Sequence, residues 1–301
     1  MIPNIIHFIF GLKEDFGGKG FSFLHFLAVY TAWKVNKPEK MFFHYVFEPT
    51  GDWWAKAKPY LTLNKVNPPE EIFGNALAHF AHKSDVIRLD VLKKYGGIYL
   101  DMDVVCINPF RPLLEKKFVL GIEPGVGLCN AVILSEPNAE FLSLWYNEYK
   151  TFDGNLWSYH SVQLPWILAN RYPSLIHIEG KDSFFYPMYN DPVHLYLWYP
   201  SVPSYRQVRS LMNSFISYII LLAKGEKNRI KKANCSLHGI FGKDWHYKKL
   251  CKSYCVHLVE SLWWDRYLKP LSPSHILNDS SNFSLLIKSI AGKQELARFA
   301  E

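Results

Sequence analysis

The sequence predicts an α/β fold around a largely parallel sheet, and three observations carry that prediction. Over roughly the first 150 residues, short apolar runs rich in β-branched and aromatic side chains alternate with stretches of helical spacing. Stop residues such as Gly11, Pro38 and Gly96-Gly97 separate them. The 301 residues are 49% hydrophobic and only 20% charged, enough apolar side chains for a large core and too few charges for a disordered chain.

Taken in order, Ile5 to Phe10 reads as a buried strand stopped by Gly11. Phe21 to Val35 has helical spacing, with Pro38 beyond it. Met41 to Phe47 and Leu61 to Val66 read as the next strands. Ala76 to Tyr95 is helical and ends at Gly96-Gly97, a common C-terminal stop. Ile98-Tyr99-Leu100 is a strand that runs straight into Asp101-Met102-Asp103. Phe118 to Ile122 and Asn130 to Leu134 follow as strands, and Ala139 to Tyr149 as a helix. Further on, Ser161 to Asn170 reads as a helix and Leu175 to Ile178 as a short strand. Phe184 to Pro203 is expected to be irregular, and Val208 to Lys224 to be a helix with a broad apolar face.

Charge divides the chain differently. Residues 1–204 hold 18 basic and 20 acidic side chains, whereas residues 205–301 hold 16 and 7, so the whole positive excess lies in the last third. No apolar run reaches the length of a membrane span. The N-terminus lacks the basic region and cleavage site of a signal peptide. Five widely spaced cysteines suit reduced thiols better than a disulfide framework. Together these features predict a cytoplasmic protein.

The chemistry concentrates in one segment, Ser84-Asp85-Val86-Ile87-Arg88 followed by Tyr95-Gly96-Gly97-Ile98-Tyr99-Leu100-Asp101-Met102-Asp103. Asp85 and Arg88, three apart on a helix, share a face. Asp101 and Asp103, two apart at a strand end, point the same way, where ligands of open α/β sheets gather. Two adjacent carboxylates need a cation or protons between them, and a hard divalent ion such as Mn²⁺ or Mg²⁺ suits them. A lone Asp-x-Asp is commonplace on solvated loops; the apolar strand, the Gly-Gly stop and the Asp/Arg helix are what single this one out.

This string closely resembles the signature of glycosyltransferases with a DXD sugar-binding motif, of the family-32 type, and is similar to the glucosyltransferase domains of large clostridial toxins. The opening Ile2-Pro3-Asn4-Ile5-Ile6-His7 fits the first strand of those enzymes. The resemblance is strong over residues 2–11 and 76–110, moderate around 130–146 and thin elsewhere. It implies a GT-A, Rossmann-like nucleotide-sugar-binding fold with helical and irregular C-terminal additions. It also implies a retaining, front-face transfer of a hexose from a nucleotide sugar, such as UDP-glucose or UDP-galactose, with a GDP-sugar as the alternative. The acceptor would be a hydroxyl of a carbohydrate or glycolipid.

Carried over by residue, the resemblance places Asp85 and Arg88 on hydroxyls of the donor sugar and Tyr99 beside the nucleotide sugar. Asp101 would approach the metal and Asp103 would ligate it. Phe8, Phe10 and Gly11, at the end of the first strand, would meet the nucleobase. Downstream, Val256-His257-Leu258-Val259-Glu260-Ser261-Leu262-Trp263 matches a terminal His and Ser-Trp of the family, although Leu262 here separates Ser261 from Trp263. His257 would be the third protein ligand, with Ser261 and Trp263 near the diphosphate. His160, Gln163 and Asn130 fall where sugar contacts are expected, with helix capping by Ser158 and Ser161 the rival reading.

Two other classes stay open at this point. The apolar strand ending in Asp-x-Asp also fits a haloacid-dehalogenase-type phosphatase, which lacks here its downstream acidic cluster. A sugar- or membrane-binding module of the same fold without turnover is the second. For organisation, residues 1–204 are expected to form the catalytic core and 205–253 a basic helical insertion facing acceptor or membrane. Residues 254–301 are expected to return His257 to the site. The stretch 211–232 reads either as a basic interfacial helix making peripheral membrane contact or as a core helix with a solvated basic turn. No nucleic-acid motif accompanies the basic residues, so no nucleic-acid partner is expected.

Overall fold

A computed structural model describes residues 1–189, 197–198 and 243–301, with side chains of 243–246 excepted. The helix expected over 208–224 and the membrane-facing stretch 211–232 lie outside the described residues. The chain divides into two compact units, Met1–Tyr186 with Ser253–Trp264, and Pro187–Lys252 with Asp265–Glu301.

The first unit is the mixed α/β structure that the alternation of apolar runs predicts. Its elements are β1 (Ile5–Ile9), α1 (Phe23–Asn36), β2 (Lys40–Tyr45), α2 (Asp52–Ala57), β3 (Thr62–Lys65), a small hairpin of β4 (Glu71–Ile72) and β5 (Asn75–Ala76), and α3 (Phe80–Tyr95). There follow β6 (Gly97–Leu100), β7 (Val104–Cys106), β8 (Phe118–Glu123), β9 (Gly127–Ser135), α4 (Glu140–Glu148), α5 (Leu164–Arg171) and β10 (His177–Glu179). Seven strands form one sheet in the order β10-β8-β9-β6-β1-β2-β3. β1 pairs in parallel with β2 and β6, β2 with β3, and β10 with β8, while β9 runs antiparallel between β6 and β8.

Sequence and packing agree on why these elements form. α1 is apolar on every side and is buried from Phe23 to Ala32, as expected of a helix enclosed by the core. α3 is amphipathic: Val86, Leu89 and Leu92 join Tyr99, Leu120, Ile133, Leu142 and Trp145 in the core beneath the sheet. The Gly96-Gly97 stop has a steric cause. Gly97 has φ near +105°, and a Cβ there would lie 2.5 Å from the carbonyl oxygen of Ile5, so only glycine lets β6 close on β1. The helix expected from residue 76 begins at Phe80, because Asn75–Ala76 pairs with Glu71–Ile72 instead. The helix expected from residue 161 is a π turn over Tyr159–Gln163, with α5 following it.

The chain returns to this unit through β11 (Cys255–His257), which pairs antiparallel with β7, and α7 (Glu260–Trp263), α6 being Lys243–Leu250 in the second unit. The second unit also holds α8 (Pro273–Asn278), α9 (Asn282–Ala291) and α10 (Lys293–Ala300) around buried Ile276, Phe283, Ile287 and Leu296. Cys106, Cys129, Cys251 and Cys255 are free thiols. Among the described residues, no helix is long and apolar enough to cross a membrane.

Candidate active site

The acid pair sits where β6 ends. The Asp101 N–H donates to the Ala131 carbonyl of β9 at 2.9 Å, and the Val104 N–H donates back to the Asp101 carbonyl at 3.0 Å. This turn sends Met102 into the core, 6% exposed, and leaves both carboxylates at the carboxyl end of the strand. β11 then sets His257 opposite Val104. The ligand atoms of Asp101, Asp103 and His257 all lie within 4.8 Å of one another.

Asp103 is held from two sides. His257 Nε2 lies 3.3 Å from Oδ1, and the Glu260 N–H donates to Oδ2 at 2.7 Å. The turn that delivers that N–H passes through Val259 at φ 50°. A β-branched residue in the left-handed region is strained by roughly 1–3 kcal/mol and persists only where its surroundings impose it. Burial alone would raise Asp103; the charge and hydrogen bond of His257, with the Glu260 N–H, outweigh it and hold the carboxyl at about 2. For His257, burial favours the neutral ring, but Asp103 wins and lifts it to about 9.

Behind Asp101 lies a buried polar network. Arg88 reaches Asp101 at 3.2 Å and Asp85 at 3.3 Å, donates to the Asn130 carbonyl at 2.9 Å and to Ser84 Oγ at 3.2 Å, and lies 4.5 Å over the Tyr99 ring. Asn130 Nδ2 donates to Asp85 at 2.7 Å, and the Tyr99 hydroxyl donates to Asp101 at 2.6 Å. The i, i+3 spacing on α3 brings Asp85 to Arg88, and the end of β6 brings Asp101 to the same guanidinium. Burial raises Asp85, against the pull of Arg88 and Asn130. Burial likewise raises Asp101; Arg88 opposes this and the neighbouring Asp103 adds to it.

A cavity of about 440 Å³ opens beside this network, lined by Phe10, Gly11, Lys13, Phe16, Lys19, His79, Phe80, Ser84, Arg88, Trp157, Glu260 and Ser261, among others. The structure thus brings together Asp85, Arg88, Tyr99, Asp101, Asp103, Asn130 and His257, with Phe10, Gly11 and Ser261 on the cavity wall. Trp263 follows Ser261 on α7 and is only partly buried. Three expected residues sit elsewhere. Phe8 has no exposed surface and belongs to the core; the chain becomes accessible only at Phe10, beyond the end of β1. His160 is buried against the rings of Tyr149, Phe152 and Tyr159. Gln163 is exposed and does not line the cavity.

Sequence reasoning missed Lys13, Lys19, Trp157 and the Glu260 backbone. The positive excess of the sequence lies in its last third. Among the described residues, however, the cations on the cavity wall are Lys13, Lys19 and Arg88, all from the near-neutral first part.

The donor set fits a hard divalent cation. Two carboxylates and an imidazole converge, and opposite donors on an ion with ~2.1 Å bonds stand about 4.2 Å apart, close to the spread seen here. Asp101, Asp103 and His257 would hold such an ion, and His257 must release its proton to do so.

With that geometry in place, comparison with known proteins defines the class. Residues 33–119, which include α3 and the acid pair, match the family described as a glycosyltransferase sugar-binding region containing a DXD motif. Across 98% of its length the chain is 33% identical to "Glucan organizing enzyme 1" of Cryptococcus neoformans, covering 72% of that protein. The chain belongs to the glycosyltransferases with a DXD sugar-binding region, and it is a transferase. That membership answers both the phosphatase and the non-catalytic readings. The sheet is mostly parallel with the acid pair at a strand end, as the sequence predicts. "Inositol phosphoceramide mannosyltransferase 1" of Schizosaccharomyces pombe is 28% identical over 37% of this chain and 41% of its own. Among solved structures, mouse xyloside xylosyltransferase 1 superposes with a TM-score of 0.41 at 14% identity, over 61% of this chain and 87% of its own.

Proposed function

We propose that this chain transfers a hexose from a nucleoside diphosphate sugar, with UDP-glucose or UDP-galactose the favoured donor and a GDP-sugar the alternative, to a hydroxyl of a carbohydrate or glycolipid. The observation that carries the reading is the convergence of Asp101, Asp103 and His257 beside a cavity that Arg88 shares with two lysines. The relative named for mannosyl transfer to inositol phosphoceramide supports a glycolipid as one acceptor class.

Asp85 and Arg88 would hold the donor sugar by its hydroxyls, since each keeps a polar edge inside a network already fixed by Asn130 and Tyr99. Mn²⁺ or Mg²⁺ on Asp101, Asp103 and His257 would take up charge that develops on the departing diphosphate. Lys13, Lys19 and the Ser261 hydroxyl stand on the cavity wall where they can contact the phosphates. Retention of anomeric configuration by front-face transfer fits a site where each buried acid is already tied to Arg88, His257 or a backbone N–H, leaving none as a nucleophile. Residues 205–253 are retained as an insertion facing acceptor or membrane. The membrane part is tested by liposome binding after neutralising Lys224, Lys227, Arg229, Lys231 and Lys232, and unchanged binding to anionic vesicles would refute it.

The deciding experiment is a donor screen. UDP-glucose, UDP-galactose, UDP-GlcNAc and GDP-mannose are incubated with the protein and Mn²⁺, and released nucleotide is measured. Turnover of one donor that disappears on chelation is expected. Turnover unaffected by chelation would remove the metal from this reading.

A further inference from the structure

We propose that Trp157, with Phe80 and His79, forms a stacking platform for a pyranose ring of the acceptor at the mouth of the cavity. This rests on the transferase reading above and names the acceptor class of the same site.

Trp157 is 61% exposed and Phe80 43% exposed, yet both line the cavity that also contains Ser84 and Arg88. Exposure here does not come from a loose loop. Asp153 Oδ1 accepts from both the backbone and side-chain nitrogens of Asn155 at 2.9 Å, and the Leu156 and Tyr159 N–H groups close successive turns onto Asp153 and Leu156. Phe152 anchors the segment, stacked on Tyr149 and edge-on to His82. The indole itself is braced from the α3 side by His79 at 4.9 Å and His82 at 5.2 Å. A braced aromatic that still shows most of its surface is suited to an apolar ligand face, since stacking there costs little side-chain entropy.

Chemistry selects the ligand. The cavity is charged at Arg88, Lys13 and Lys19, where a diphosphate belongs, and aromatic at Trp157, Phe80 and His79 as well as at Phe10 and Phe16. A pyranose presents an apolar C–H face for an indole and a rim of hydroxyls for polar neighbours. His79 supplies such a neighbour: its Nδ1 accepts the Ala81 N–H at 3.1 Å, so the neutral ring carries its proton on Nε2 as a donor. Burial and the neighbouring His82 and Lys13 charges all favour that neutral form. The nucleobase, the other flat ligand of this enzyme class, is assigned instead to Phe10 and Gly11 at the end of β1.

Wild type, Trp157→Ala and Trp157→Phe are compared by saturation-transfer NMR with methyl α- and β-glucosides, galactosides and mannosides, and by calorimetric titration with UDP and Mn²⁺. At least one methyl glycoside is expected to bind wild type, to bind Trp157→Ala about tenfold more weakly, the scale of one lost aromatic contact, and to recover most of its affinity with Trp157→Phe. UDP affinity should stay within about twofold. Three results would overturn the proposal: no glycoside binding to wild type, glycoside binding unchanged in Trp157→Ala, or a loss that falls on UDP instead. Because these are binding readouts, a failed donor screen counts against the transfer reaction proposed above and leaves this result to be decided separately.

Discussion

Two histidine regions of the first unit, one fully buried and one largely so, hold opposite charge. In the scaffold, Asn64 Nδ2–H donates to His44 Nδ1 at 2.8 Å, His44 Nε2–H to His7 Nδ1 at 3.0 Å, and His7 Nε2–H to the Gly96 carbonyl at 2.8 Å. The order of protons is forced, because a carbonyl can only accept and an amide nitrogen can only donate. Burial pushes His7 down to about 4, against the Gly96 carbonyl, and burial with the His7 charge pushes His44 to about 3. At the other region, burial acts on His257 in the same sense, yet Asp103 reverses it and brings the ring to about 9. The partner, not the depth, sets the charge. The neutral chain ties β3, β2 and β1 to the start of β6; the ionic pair sits at the far end of the same strand, where a cation can replace a proton.

The strongest way to break this contrast is Asp103→Asn. The amide still accepts the Glu260 N–H, but it cannot hold His257 as an imidazolium or serve as an anionic ligand. Transfer should fall by about a thousandfold, on the scale of lost transition-state charge stabilisation, while the thermal midpoint moves by only a few degrees. Near-normal turnover would detach Asp103 from the chemistry. Next in size is Arg88→Met. Both Asp85 and Asp101 then lose their shared cation inside the protein, and breaking a buried pair on one side costs about 3–5 kcal/mol. Urea unfolding measures it; a loss under 1 kcal/mol would mean that the acids simply take up protons and that the network is not needed for the fold.

The neutral chain predicts a pH dependence. The folded pKa of His7 lies below the unfolded value of 6.5, so its contribution to stability is complete above pH 6.5. It is lost as pH falls from 6.5 through about 4, with His44 acting in the same direction. The displacement of His7 alone corresponds to about 3 kcal/mol. Denaturant midpoints measured from pH 7.5 to 4.5 should therefore fall. In His7→Gln the decline should be shallower, from a lower starting value at pH 7.5. An equally steep decline in the variant would place the acid sensitivity elsewhere.

What the sequence made legible follows the same division between local and distant contacts. Asp85 with Arg88 and Asp101 with Asp103 are set by helix and strand spacing, so their shared faces could be read directly from the chain. Phe8 and Phe10 were harder to separate, because both lie on the same side of a strand and only the end of pairing at Ile9 distinguishes buried from accessible. The Glu260 N–H on Asp103 spans 157 positions and depends on a left-handed Val259, and no local pattern announces either. Trp157 and His160 stand three apart in one aromatic segment. Which of them turns outward is decided by the Asp153 turn and the π turn, whose hydrogen bonds leave little trace in composition.

Lys19 gives the smallest effect and refines the account of charge. Its Nζ lies 3.4 Å from the Glu260 carbonyl and 5.4 Å over the Trp264 ring, so it borders the turn that holds Asp103 while lining the cavity. If its role is to meet a diphosphate, Lys19→Ala should raise the donor KM about three- to tenfold and leave kcat nearly unchanged, the pattern of uniform binding loss. The deficit should narrow as salt rises from 0.05 to about 0.5 M, because the Debye length that screens a partly exposed cation shrinks from about 14 Å to about 4 Å over that range. If Lys19 instead only steadies the Glu260 turn, kcat falls with KM and salt has no effect. The two outcomes separate a cation that binds phosphate from one that positions the carboxylate beside it.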